Sequence, residues 1–242
     1  MITRVTYADP FGRAIRDHYL GEQKEPLIDR DGDETREHAI ERWYFGEYER
    51  DEWFESWLDG PLLDMGAGVG RDTLFFQDYF ETVAIEVSEH LVETMRDRGV
   101  DDARLASMFS LRDHFGRDRF QSALANGTQL GLSGSMAGLR QFLGDLAFVT
   151  EPDATAVLDC YAPEKEATKD AFGYRADPTP GLAHRVMHCE YEGEVGETLL
   201  FRLFSADRLR EATIGTAWSV VEVKYGPEHD PNQWVAALEK SS

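Results

Sequence analysis

The residues that could do chemistry begin with Asp64-Met65-Gly66-Ala67-Gly68-Val69-Gly70, an acid followed by three glycines spaced two apart. Glycines let a backbone turn sharply and approach a ligand closely. A helix opening just after such a turn presents unpaired N–H groups to that ligand. The spacing speaks against two familiar phosphate cradles. A dinucleotide fingerprint needs its third glycine where Arg71 stands, and a P-loop ends in Gly-Lys-Ser/Thr where this chain has Gly70-Arg71-Asp72. Asp64 would repel a pyrophosphate and attract a cationic amino-acid end. Glu86 lies 22 residues beyond Asp64, near the end of the run FETVAIEV. A carboxylate about 20 residues on, at the tip of a second strand, can accept hydrogen bonds from both ribose hydroxyls. Together the pieces describe a phosphate-free ribose carrying a cationic group. The plainer readings are an ordinary strand-to-helix turn and a solvated strand end.

Those residues need elements to hold them. Pro61-Leu62-Leu63-Asp64 reads as a short apolar strand, followed by the glycine turn and a helix over 71–79. Residues 80–87 read as a second strand, and Ser88 caps a helix to about 98. A weak strand at 103–106, a fourth at 119–126, an amphipathic helix over 135–149 and a fifth strand at 155–161 follow. This alternation predicts a Rossmann-like, doubly wound α/β fold with a mostly parallel, seven-stranded sheet. Residues 163–180 read as irregular. The runs 184–191 and 198–204 suggest a hairpin around Gly193, Ser205 caps a helix to 212, and 218–225 reads as a returning antiparallel C-terminal strand. Residues 1–60 read as a mostly helical N-terminal extension and 61–242 as the main domain, with 162–200 as a lid or substrate wall. Within the extension, 34–58 carries Ile40, Trp43, Tyr44, Trp53, Phe54 and Trp57 at near-helical spacing, and 29–33 reads as a solvated acidic loop.

With the motifs in place, the chain resembles class I S-adenosylmethionine-dependent methyltransferases of a haloarchaeal small-molecule type. The matching residues are LLDMGAGVGRDTLFF (62–76), AIEVS (84–88), ALANGTQLGLSGSMAGLRQFL (123–143) and AVLDCYAP (156–163). The resemblance implies that Gly66, Ala67, Gly68 and Gly70 line the methionine part of S-adenosylmethionine and that Asp64 supports the turn or the amino group. It implies that Glu86 takes the ribose hydroxyls and Val87 packs on the adenine. After the third strand the family often has an acid. Here Ala106-Ser107-Met108 stands there, leaving Ser107, Met108 or the backbone at the adenine edge. Asn126-Gly127 ends the fourth strand, where cofactor and acceptor meet, and Asn126 serves either as a strand-end cap or as a ligand contact. The nucleobase-amine subset carries Asn/Asp-Pro-Pro-aromatic at that place, whereas this chain has Asn126-Gly127-Thr128-Gln129.

Methyl transfer from a sulfonium is an in-line displacement in which positioning dominates. A general base is needed only for an acceptor whose proton has a high pKa. His184 and His188, then Tyr161 and His114, are the candidates, and none is marked by a motif, so the catalytic residue is left open. No metal is expected: four residues apart on a strand, His184 and His188 lie about 13 Å from each other. Trp43, Tyr44 and Phe45 read as core or as a lid. Cys160 reads as a small buried hydrophobe. Two other classes remain: a non-catalytic cofactor-binding protein of the same fold, and a nicotinamide-dependent oxidoreductase.

Charge bounds the partners. The 46 Asp and Glu against 25 Lys and Arg give a net charge of -21, with only five lysines in 242 residues. Such a surface disfavours nucleic acid, where affinity rests on neutralising phosphates. Acid excess with scarce lysine also resembles proteins of extreme halophiles, in which salt screens self-repulsion. No apolar run approaches the roughly 20 residues of a spanning helix, and the first residues lack a signal-peptide core, so a cytoplasmic protein with no membrane partner is expected. The oligomeric state is left open.

Overall fold

The structure, a computed structural model, describes residues 8–48, 51–226 and 232–241. The first residues, read above for a signal peptide, fall largely outside the described residues. In chain order the elements are α1 (Pro10–Leu20), β1 (Ile28–Asp31), β2 (Glu34–Glu37), α2 (Glu52–Ser56), β3 (Leu62–Met65), α3 (Arg71–Phe76), β4 (Thr82–Glu86), α4 (Glu89–Asp97) and β5 (Ala103–Leu105). Then come α5 (Leu111–His114), β6 (Phe120–Ala125), α6 (Met136–Val149), β7 (Thr150–Tyr161), β8 (Tyr174–Ala176), β9 (Leu182–Tyr191), β10 (Glu194–Val195), β11 (Leu199–Phe204), α7 (Ala206–Thr213), β12 (Trp218–Tyr225) and β13 (Gln233–Lys240).

Seven strands form one sheet in the order β12-β13-β7-β6-β3-β4-β5. The central strands are apolar on both faces, as a sheet covered by helices requires. Leu63, Met65, Ala123 and Ala125 face a core closed by Leu139, Phe142, Leu143 and Leu146 of α6. On the other face Leu62, Leu124 and Val157 pack with Phe54 of α2 and Phe76 of α3. Serine caps start the helices as the sequence predicts: Ser88 accepts from Leu91 N–H, Ser135 from Gly138 N–H and Ser205 from Arg208 N–H. The Rossmann-like α/β expectation therefore holds.

One strand was missed and another misdirected. β13 is antiparallel to β7, and β12 is antiparallel to β13, so β12 runs parallel with the rest. The antiparallel C-terminal strand is thus β13, not 218–225. Its alanines carry little β-propensity, and burial on the sheet decides its state.

A second sheet forms a cap around the long strand β9, which pairs with β1, β10, β11 and β8. The Glu192-Gly193 turn, with φ of 46° and 78°, folds β10 back on β9 as a tight hairpin. The mostly helical reading of 1–60 fails here. Residues 28–37 are a β-hairpin, and β1 pairs with β9 with Asp29 opposite Cys189. The expected helix over 34–58 breaks into β2, one π-helical turn (Glu41–Phe45) and the short α2. Asp29, read as part of a solvated loop, is fully buried. Pairing with β9 and a histidine partner override the polar local sequence. The irregular stretch 163–180 contains β8, which the sequence reading did not separate from loop.

Candidate functional site

The glycine turn joins β3 to α3 with positive φ at Gly66, Gly68 and Gly70 (68°, 59° and 77°). Non-glycine residues rarely adopt that region, so the acid–Gly-x-Gly-x-Gly pattern encodes the bend directly. Gly66 and Ala67 both donate their N–H groups to the Ile85 carbonyl, at 3.0 and 3.2 Å, which ties the turn to the tip of β4. There the Glu86 carboxylate accepts from Gly68 N–H at 3.2 Å and from Val87 N–H at 2.7 Å. Burial pushes the Glu86 carboxyl up, against the pull of those backbone amides. Val87, an apolar residue, stands 69% exposed beside it.

Asp64 is buried beneath the turn and accepts from Thr73 Oγ1 at 2.5 Å. Burial, then the neighbouring charge of Asp72, raises its carboxyl well above the ordinary range. Asp72 is held by Arg71 Nε at 2.9 Å and by Asn126 Nδ2 at 2.8 Å. The side chain of Asn126 therefore braces the start of α3 from the end of β6. Beside it the Asp159 carboxylate at the end of β7 accepts from Gly127 N–H at 3.1 Å and Thr128 N–H at 2.7 Å. These bonds hold Thr128 at a φ of 65°.

Of the remaining expected contacts, Ser107 caps a short 3-10 turn by accepting from Phe109 N–H, and the Met108 side chain is buried in the main core. Ala67 packs against the cluster of α4. The structure thus brings Asp64, Gly66, Gly68, Gly70, Glu86, Val87, Asn126 and Gly127 together at the tips of β3, β4 and β6, and turns Met108 inward.

Several residues at this site carried no sequence motif. The Gln129 side chain lies over Gly66, where a Cβ would meet its Cγ at 2.7 Å, and the Tyr44 ring lies 3.4 Å from where a Gly68 Cβ would stand. Tyr44 and Phe45 pack with Val69 of the turn and Cys189 of the cap, while Trp43 stays exposed. At the tip of β4, Ser88 donates to Asp9 at 2.5 Å, which brings the start of α1 beside Glu86. Tyr44 and Phe45 thus take the core-packing role, and the Tyr44 ring at the same time borders the turn at Gly68.

The proposed bases fare differently. Burial along β9 alternates: Ala183, Arg185, Met187, Cys189 and Tyr191 are buried, while His184 and His188 lie on the opposite face. His188 contacts Glu190 at 3.1 Å, and His184 contacts Arg202. His114 is exposed at the end of α5. Tyr161 ends β7 beneath the Arg185 guanidinium, 5.2 Å from its ring centre. Cys160 is fully buried, as expected, and burial pushes its thiol up to about 12.

The residues fit a nucleoside bearing a cationic amino-acid chain. The bend has no Cβ at its three glycines, the carboxylate has lone-pair capacity beyond the backbone amides it accepts from, and an exposed valine offers a face for a base.

The seven-stranded sheet with helices on both faces is a Rossmann-like α/β fold. Solved structures similar to this chain carry the same architecture. A SAM-dependent methyltransferase from Bacteroides fragilis, in complex with S-adenosyl-L-homocysteine, is 21% identical, with a TM-score of 0.77, over 97% of this chain and 95% of that one. The 1,6-didemethyltoxoflavin-N1-methyltransferase of Burkholderia thailandensis, with 1,6-didemethyltoxoflavin and S-adenosylhomocysteine bound, is 19% identical, with a TM-score of 0.52, over 75% of this chain and 71% of that one. CalS10, an amino pentose methyltransferase from Micromonospora echinaspora with SAM bound, is 15% identical, with a TM-score of 0.53, over 73% and 82%. No protein-family model and no curated protein matches the chain. No helix among the described residues is long and apolar enough to cross a membrane.

Proposed function

We propose that this chain is an enzyme that binds S-adenosylmethionine at the tips of β3 and β4 and transfers its methyl group to a small molecule held under the cap. One observation carries the reading. A half-buried carboxylate, Glu86, is clamped to the N–H of Gly68 in a Cβ-free bend and flanked by the exposed Val87. When bound, the cofactor supplies an activated methyl on a sulfonium. The chain's own residues do the rest. Glu86 takes the ribose hydroxyls, Val87 covers the base, and Ser107 with its neighbouring backbone meets the base edge. Gly66, Ala67, Gly68 and Gly70 let the methionine part lie against backbone, with the Asp64 carboxylate opposite its ammonium. Asn126 and Gly127 border the acceptor. Tyr44 and Gln129 swing aside to admit the ligand and then exclude water from the reacting atoms.

The finer readings belong to the same proposal: an N-terminal extension over 1–60, a main domain over 61–242, a substrate wall within 162–200, a cytoplasmic location, and neither nucleic acid nor membrane as partner. The net charge of -21 with five lysines supports a haloarchaeal, salt-adapted protein. A thermal-shift panel in molar KCl with S-adenosylmethionine, S-adenosylhomocysteine, NAD and ATP tests the reading. The two sulfur nucleosides are expected to raise the melting temperature and the other two to leave it unchanged. Stabilisation by NAD alone refutes the proposal. Dilution from molar to millimolar KCl is expected to unfold the protein, and full stability in dilute salt refutes the salt adaptation.

A further inference from the structure

We propose that His38, oriented by Asp29, is the general base that takes the proton of a hydroxyl-bearing methyl acceptor. This deepens the methyl-transfer reading and rests on it. Asp29 is fully buried in β1, facing the interior of the cap. Nδ1 of His38 lies 3.0 and 3.1 Å from its two carboxylate oxygens. Arg36 donates to the same carboxylate at 3.3 Å, and Cys189 Sγ sits at 3.5 Å. Burial pushes the Asp29 carboxyl up, but the hydrogen bonds and charges of His38 and Arg36 bring it net below its ordinary value. An ionised carboxylate only accepts, so Nδ1 donates to it, and in the neutral ring Nε2 is the nitrogen that bears the lone pair. Among the described residues that Nε2 is buried and has no hydrogen-bond partner. A buried polar atom left unpaired is costly, and such atoms concentrate where a ligand completes them.

The position of the pair fits the role. The His38 ring stacks on Tyr44, with centroids 5.8 Å apart, and Tyr44 is the ring that lies over Gly68. Phe11 meets both rings edge-on, at 5.6 and 5.7 Å. One aromatic layer therefore separates the unpaired nitrogen from the bend that would hold the methyl donor. Once Tyr44 moves, that layer becomes acceptor space.

A hydroxyl is a poor nucleophile until its proton leaves, which is the need that a carboxylate-oriented imidazole meets. In the step, the acceptor oxygen bonds to the methyl carbon and the carbon–sulfur bond breaks with its electron pair going to sulfur. The hydroxyl proton passes to Nε2, leaving an imidazolium against Asp29. The charged or titratable groups around His38 are Asp29 and Arg36 from the hairpin, Cys189 from β9, and Tyr44, with Glu86 beyond it.

The test uses the whole protein in high salt with His38→Gln and Asp29→Asn, checked for folding by circular dichroism. Binding of S-adenosylhomocysteine by calorimetry is expected to be nearly unchanged in His38→Gln. Absence of binding in the parent refutes the cofactor reading itself. 4-Nitrophenol, added to the S-adenosylhomocysteine complex, is expected to shift toward its phenolate absorption in the parent and not in His38→Gln. Labelled S-adenosylmethionine with a panel of phenols, alcohols and primary amines is expected to give methyl ethers. His38→Gln lowers that rate by about 10²–10⁴-fold and removes the acidic limb of the pH profile. Asp29→Asn lowers the rate less and moves that limb. Parental rates or an unchanged limb in His38→Gln overturn the assignment. So does transfer to amines alone, or to none of the probes, when the cofactor product binds.

Discussion

Alanine placed at Gly68 and at Gly70 separates the ligand-facing side of the bend from its packed side. Both glycines have positive φ, 59° and 77°, so alanine at either is strained. That strain costs about 1–2 kcal/mol, of which roughly 0.4–1 kcal/mol is offset because the unfolded chain loses freedom. At Gly68 a Cβ would meet only the Tyr44 ring, at 3.4 Å, which is ordinary contact. At Gly70 it would stand 2.6 Å from Val100 Cγ2 and 3.2 Å from Met95 Cγ, both buried. Overpacking of that kind adds about 1–3 kcal/mol. For a chain of this size each kcal/mol lowers the melting temperature by about 2–4 °C. Gly68→Ala is therefore expected to melt no more than about 6 °C below the parent and Gly70→Ala about 2–18 °C below it. Binding should rank the other way per unit of stability lost. The methyl of Gly68→Ala enters the space assigned to the methionine chain, and S-adenosylhomocysteine affinity should fall at least about tenfold, or 1.4 kcal/mol. Calorimetry, by scanning and by titration at one salt concentration, reads both. Parental affinity in Gly68→Ala would refute the placement of the ligand. Equal destabilisation by the two substitutions would refute the steric reading of the bend.

Glu86→Gln keeps the shape and removes the charge. The affinity for S-adenosylhomocysteine is expected to drop by about 1–3 kcal/mol, and unchanged binding by titration counts against the ribose contact. Asp64 has a folded pKa raised above its ordinary 3.8 by burial and by Asp72, so its contribution to stability is fully present below 3.8 and is lost as pH rises through the folded value. Chemical denaturation from about pH 4 upward should show the parent losing stability relative to Asp64→Asn. A cationic ligand favours the ionised form, so binding in that window should release a proton, detectable as a dependence of binding heat on buffer ionisation. Asp159→Ala strips the carboxylate from Gly127 N–H and Thr128 N–H and should cost about 1–3 kcal/mol for each amide left unpaired. A melting temperature equal to the parent's would show that other groups hold that loop.

The sequence by itself determined the sheet centre and the bend. Leu62, Leu63, Val83 and Ile85 form runs apolar on both faces, which only a helix-covered parallel strand explains. The glycines at 66, 68 and 70 announce their left-handed backbone by residue type, and Glu86 follows from a fixed spacing along two adjacent strands. Such features are local: period, turn chemistry and strand length decide them. The tertiary structure alone decided the rest. Asp29 and His38 sit in a polar stretch that reads as solvent-exposed, and only pairing of β1 with β9, some 160 residues away, buries them. Tyr44 and Gln129 reach the bend from elements with no motif of their own. β13 is a strand because the edge of β7 offers its backbone partners and its alanines a covered face. Contacts between distant segments leave no period in a single chain, so Asp29 and His38 come together only where the cap sheet lies over the glycine bend.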